Sequence, residues 1–115
     1  MLAKLFYAVR RRKAHRVRKL LPRLRASRVD ICRAVPPRQE TVLHVAARSG
    51  EPLVIRLLIE HGADVNACDR RRRTPLHMAP TGEAVRTMLR EAQRRGVRVD
   101  LEVCDERGIS ARQSV

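Results

Sequence analysis

Aromatic side chains are almost missing from this chain: 115 residues hold no tryptophan, one phenylalanine and one tyrosine. A core made without them must be Leu, Val, Ile, Ala and Met, packed in layers thin enough for small aliphatic side chains to fill. Acid is absent from the first 29 residues, and lysine is scarce, 3 against 23 arginines. No apolar run reaches the roughly 18 residues expected of a membrane span, which favours a soluble chain. A Gly-rich phosphate loop is lacking. No serine or cysteine stands in a recognisable pattern with a base, and the acids are scattered singly. The sequence therefore argues against an enzyme, with no catalytic, cofactor-binding or metal residue to assign and no cofactor implied. At this length it is one domain.

What the chain does have is a repeat. Thr41-Val-Leu-His-Val-Ala-Ala47 returns as Thr74-Pro-Leu-His-Met-Ala-Pro80, 33 residues later. A fixed period of that size marks a stack of small units, each leaning on its neighbours, and not a body closed around one pocket. Thr41 and Thr74 stand where a helix begins, so each hydroxyl can cap free backbone N–H groups. Pro75, and Pro52 for a second helix, suit the first helical position. Val54, Leu57, Leu58 and His61 fall at helical spacing, as do Val85, Met88, Leu89 and Ala92. Gly62 and Gly96 follow those runs, where a left-handed residue ends a helix.

Cysteine gives a second period: Cys32, Cys68 and Cys104 are each 36 residues apart. They read as one position in three successive units, which makes the stretch before residue 40 a worn repeat. Set about 8–10 Å apart by helix packing, they lie beyond disulfide reach. Three free thiols in a reducing compartment are expected, with no shared metal ion.

These residues resemble the ankyrin repeat, whose pattern opens T-P-L-H-x-A and runs about 33 residues. The match is dense over 41–69: Thr41, Leu43, His44, Ala46, Ala47, Gly50, Leu57, Leu58, Gly62, Ala63, Asp64, Val65, Asn66 and Asp69. It is looser over 74–105, through Thr74, Pro75, Leu76, His77, Ala79, Leu89, Gly96 and Asp105. The resemblance implies an all-α solenoid of stacked helix-turn-helix units joined by β-turns. The expected division is a degenerate basic capping repeat over 1–34, a loop over 35–40, repeats over 41–73 and 74–106, and a stub over 107–115. It further implies that His44 and His77 are structural, each tying the backbone near its threonine to the next repeat. Departures are visible. Arg72 stands where the family has glycine, at about 1–2 kcal/mol if it stays left-handed. Pro80 replaces an alanine and should end its helix. Gly82 arrives one residue early.

Charge is uneven. Residues 1–38 carry 13 Lys/Arg and one acid; residues 39–115 carry 13 Lys/Arg and 11 acids. Leu2, Leu5, Phe6 and Val9, then Val17, Leu20, Leu21 and Leu24, give two amphipathic helices with basic outer faces. Pro22 should kink or shorten the second. An Arg-rich, acid-poor start also fits a mitochondrial transit peptide, although serine is scarce there. The first reading is a cap on a cytoplasmic and/or nuclear protein.

Two arginine clusters are candidate sites. Arg70, Arg71 and Arg73 at a turn tip, with Arg48 on the preceding first helix, are where the resemblance places protein binding, through tips and inner helix faces. Arg10, Arg11, Arg12, Lys13 and Arg16 form a basic patch suited to nuclear import, RNA or DNA phosphate contact, or an anionic membrane. An arginine-rich composition explains both clusters equally well. The reading is a non-enzymatic interaction module for a partner protein with an acidic segment. The alternative is a nucleic-acid-associated basic protein with nonspecific phosphate contacts.

Overall fold

The computed structural model describes residues 2–99, and these form six helices. They are α1 (Leu2–Arg10), α2 (Ala14–Ala26), α3 (Val42–Ser49), α4 (Pro52–Glu60), α5 (Pro75–Met78) and α6 (Gly82–Arg94). α1, α3 and α5 pack in one row, and α2, α4 and α6 in a second. Among the described residues no strand is formed, only an isolated bridge between Val35 and Glu40. The end of the 74–106 unit, Cys104 and the stub over 107–115 lie outside the described residues.

Aliphatic side chains make the core, as the missing aromatics require: Leu5, Leu21, Leu24, Leu43, Ile55, Leu58, Ile59, Leu76 and Met88 are fully buried or nearly so. Phe6 packs against the core's edge, half-buried. α4 sits between α2 and α6 with α3 behind it. It therefore buries Ile55 and Ile59 as well as the Val54, Leu57 and Leu58 face that periodicity picks out.

The threonine caps form as expected. Thr41 Oγ1 accepts from His44 N, and His44 Nδ1 in turn accepts from Thr41 N at 3.1 Å. His77 Nδ1 accepts from Thr74 N at 3.1 Å in the same way. The His44 Nε2–H then donates to the carbonyl of Arg73 at 2.7 Å, one residue before the next cap. The unit that starts at Thr41 is thus pinned to the following one through a buried imidazole ring. α4 starts at Pro52 with Glu51 as N-cap.

Pro22 neither ends nor shortens α2, which continues to Ala26. Pro22 and Arg18 are both exposed, so water can serve the Arg18 carbonyl that the proline leaves without a donor. Pro80 acts as expected. It forces Ala79 into an extended conformation (φ −66°, ψ 120°) and limits α5 to four residues. The chain recovers the lost turn at once: Thr81 caps α6 through Ala84 N, and α6 runs 13 residues against nine in α4. Gly50, at φ 73°, closes α3 where a Cβ would stand 3.2 Å from Pro80 Cγ.

The cysteine period does not survive as a structural register. Cys32 N donates to Asp30 Oδ1, and Asn66 N donates to Asp64 Oδ1, both at 2.9 Å. Arg28 (φ 57°) occupies the left-handed place that Gly62 (φ 91°) holds one unit on. Cys32 is therefore the counterpart of Asn66, 34 residues ahead, and Cys68 is the counterpart of Ala34. The first unit is nonetheless the same kind of unit, with arginine at the position glycine favours. Its thiol serves the stack: Cys32 Sγ donates to the Gly62 carbonyl at 3.3 Å, and partial burial raises its pKa.

Two outcomes follow for stability. Arg28 and Arg72 both hold positive φ, at 57° and 63°. Changing either to glycine should raise the unfolding free energy by about 1 kcal/mol, and the urea midpoint with it, the left-handed strain removed less the entropy that glycine adds to the unfolded chain. A midpoint that falls would contradict the strain. Burial lowers the His44 pKa, against the opposing pull of the Arg73 carbonyl. The unfolded chain then binds the proton more readily than the folded one. Stability should be full above about pH 6.5 and decline as pH drops toward the depressed native value. His44→Gln should remove that share of the slope; equal slopes for the two proteins would refute the assignment.

Candidate interaction surface

Two turn tips project beside the row of α1, α3 and α5. In the first, spanning 35–40, Val35 N donates to Glu40 O at 2.9 Å, and Gln39 takes the left-handed place (φ 55°). The second, spanning 69–73, closes through Asp69 N to Arg73 O at 2.9 Å, with Arg72 left-handed. The first tip is one residue longer. Arg70 N donates to Arg38 O at 2.8 Å, which holds the two tips side by side.

Asp69 organises the second tip. Its carboxylate is almost wholly buried and accepts from Arg71 N (2.8 Å), Arg73 N (2.9 Å) and Arg73 Nε (3.1 Å). One acid thus offsets part of the repulsion in a run of four arginines. Glu40, also buried, is bound by the Arg48 guanidinium.

Between the tips and α3 lies a cleft of about 570 Å³ lined by Arg38, Arg48, Arg70, Arg71 and Arg73, with Pro37 and Asp69. Beside it a second cleft of about 520 Å³ shares Pro37, Arg38 and Arg48, and adds Phe6, Arg10, Val35, Pro36 and Val45. The four arginines named from the sequence as a partner site are therefore brought together. They differ in role, because the side chain of Arg73 is held by Asp69 while Arg70 and Arg71 stand exposed. Burial, then Arg38 and Arg73 nearby, press the Arg48 pKa down, and Asp69 opposes them.

The N-terminal patch is spread over different faces. Arg10 joins the cleft on the α3 side. Arg11 lies over the Tyr7 ring, 5.4 Å from its centroid. Arg12 reaches Glu51 at 3.5 Å and ties the first hairpin to the second. Lys13 sits between α1 and α2, and Arg16 lines a separate depression with Tyr7, Lys19 and Leu20. Sequence reasoning missed Arg10 and Arg38 as cleft residues. The only signal was the place of Arg38 just ahead of a repeat start, the counterpart of Arg71 by the 33-residue spacing.

Among the described residues, no group of three or more His, Cys, Asp or Glu side chains is placed to hold a metal ion. None of the described helices is long and apolar enough to cross a membrane. His44 and His77 spend their Nδ1 lone pairs on their own caps. What the fold presents is a contact surface on a short solenoid of helical hairpins, the architecture of a repeat module.

Comparison with known proteins identifies which one. The family model for ankyrin repeats, described as three copies, matches residues 5–102. The chain belongs to the ankyrin-repeat family, whose repeats are protein–protein interaction modules and as a fold are generally non-enzymatic. The ankyrin repeat domain of Bcl-3, described as a member of the IkappaB protein family, superposes with a TM-score of 0.81 at 27% identity, over 93% of this chain and 47% of that one. The NF-kappa-B inhibitor delta of Mus musculus is 37% identical over 71 residues, 62% of this chain and 21% of the relative. An Arabidopsis thaliana protein named as an ADP-ribosylation factor GTPase-activating protein is 42% identical over 64 residues, 54% of this chain and 8% of its own length. The chain thus spans a small part of the curated relatives it matches.

Asp69→Ala should cost about 2–3 kcal/mol by leaving the Arg71 and Arg73 groups without their charged acceptor. Asp69→Asn, which keeps an acceptor for the two backbone N–H groups, should cost less. Urea unfolding of both variants checks the order; an equal cost would assign the effect to the ion pair alone.

Proposed function

We propose that this chain is a protein-binding module that takes an acidic segment of its partner along the two turn tips and α3. The observation that carries this reading is the arginine cleft between the tips. The two carboxylates at that place, Asp69 and Glu40, are buried and already bound by Arg73 and Arg48. Arg38 and Arg70 are exposed at its mouth, held in register by the backbone bond between them. Guanidinium forks match carboxylates in pairs, and a tip made rigid by Asp69 loses little entropy on binding.

Arg38, Arg70 and Arg71 are the residues to alter. Arg48 and Arg73 also hold buried acids, so replacing them would confuse binding with folding. A fluorescent acidic peptide should bind in a salt-dependent way, and the Arg38→Ser, Arg70→Ser, Arg71→Ser triple variant should weaken it tenfold or more, with helical circular dichroism unchanged. Affinity equal to that of the unaltered protein would remove the tips from the site.

A second reading rests on the first hairpin. Tyr7 is half-exposed with Arg11 on its ring, and Lys4, Arg16, Lys19 and Arg23 surround a depression beside it. That set suits phosphate contact with modest base stacking and no sequence preference. Oligonucleotide titration over a salt series separates the two: steep loss of affinity with salt, undisturbed by the tip variant, favours this one.

A further inference from the structure

We propose that the tip cleft is a phosphate-binding site and that, with the adjoining cleft, it selects a phosphorylated peptide segment carrying an apolar side chain near the phosphorylated residue. This rests on the reading of the tips as a partner site and sharpens it.

Among the described residues, five arginines line a space of about 570 Å³ whose one lining carboxylate, Asp69, is consumed from within. Its oxygens serve two backbone N–H groups and the Arg73 guanidinium. Arg48 is turned to Glu40, so its positive charge is partly answered, yet it still feels Arg38, Arg73 and Arg10. The surplus of positive charge is larger than a lone carboxylate would neutralise. A phosphate monoester brings nearly two negative charges and three acceptor oxygens into the volume of one small group. Arginine binds such a group with paired N–H donors, and several guanidinium groups can share its oxygens.

The second half of the inference comes from the neighbouring cleft. It shares Pro37, Arg38 and Arg48 with the first, so one ligand can occupy both. Phe6, Val35, Pro36 and Val45 give it apolar walls, and Val35 is 37% exposed. An apolar site continuous with an anion site fits an extended peptide, which carries both kinds of side chain on one backbone. It fits nucleic acid less well, because no aromatic side chain lines the arginine cleft and Phe6 of the adjoining cleft is packed against the core.

The test uses the full chain and labelled ten-residue acidic peptides with one serine, each made as serine, phosphoserine and glutamate. A single leucine is placed in turn at each of the four positions on either side. Phosphoserine should bind at least tenfold tighter than serine, with glutamate between, and at least one leucine position should add a further threefold or more. Arg38→Gln with Arg70→Gln should abolish the phosphoserine gain. Val35→Ser should abolish the leucine gain and leave the phosphate gain intact. Competition by millimolar inorganic phosphate should erase the phosphate gain; competition by a short single-stranded oligonucleotide at equal phosphate should be weaker than by phosphopeptide. Serine and phosphoserine peptides that bind equally tightly would overturn this inference while leaving the acidic-segment reading standing. Failure of every acidic peptide to bind would overturn both. An oligonucleotide that outcompetes the phosphopeptide would replace it with a nucleic-acid site, and a phosphate gain without any leucine gain would overturn the two-part recognition.

Discussion

A single imidazole sets the relation between successive units. His44 accepts from Thr41 at its Nδ1 side and gives its Nε2 proton to the carbonyl of Arg73, so one ring caps a helix and fixes where the next unit begins. The ring is fully buried, and its tautomer follows from its partners: it must be neutral, with the proton on Nε2. Each hairpin alone is too small to bury its apolar face. The distance between units therefore has to be held closely enough for Leu43, Leu58 and Leu76 to stay buried in one core. The imidazole bridge supplies that distance, and it does so beside the tip where the arginines stand.

The proposed site at the tip depends on this support. Four consecutive arginines repel one another, and Arg72 adds left-handed strain. The tip holds because Asp69 takes three hydrogen bonds from it and because its closing carbonyl, Arg73 O, is bonded from beneath by His44. Like charges are kept together at a cost met by buried contacts. The neighbouring tip is then tied alongside through Arg70 N and Arg38 O, so two loops that are separate in sequence present one surface.

Much of this was legible in the chain. The threonine caps, the helix start at Pro52 and the stop before Pro80 are local effects, each set by a side chain acting on its own backbone within four residues; the left-handed Arg72 was legible only because the repeat pattern has glycine there. What escaped was set by neighbours. Ile55 and Ile59 are buried because α4 is flanked on two sides, which no single-face periodicity reveals. Arg28 holds a glycine-type conformation without being glycine, so the first unit's helix end left no mark in the sequence. The cysteine spacing misled because the units are not of equal length: the helix starts repeat at 33, the helix-end turns at 34, and a period of 36 belongs to neither. Glu91 looks like a surface acid, yet it is buried beside Arg56 and Arg94 of the outer row. At the candidate site, Arg48, Arg70, Arg71 and Arg73 were readable, whereas Arg10 and Arg38 entered only once two tips were seen side by side.

The helix boundary displaced by Pro80 has a consequence of its own. α5 is a single turn, while α3 has eight residues. The two units share a cap but not a helix length. Any stack of hairpins set head to tail has two different ends, and unequal steps make its surface uneven along its length as well. This one has a direction, like a staircase with a missing tread, so a chain laid across it in one sense meets different terrain from a chain laid in the other.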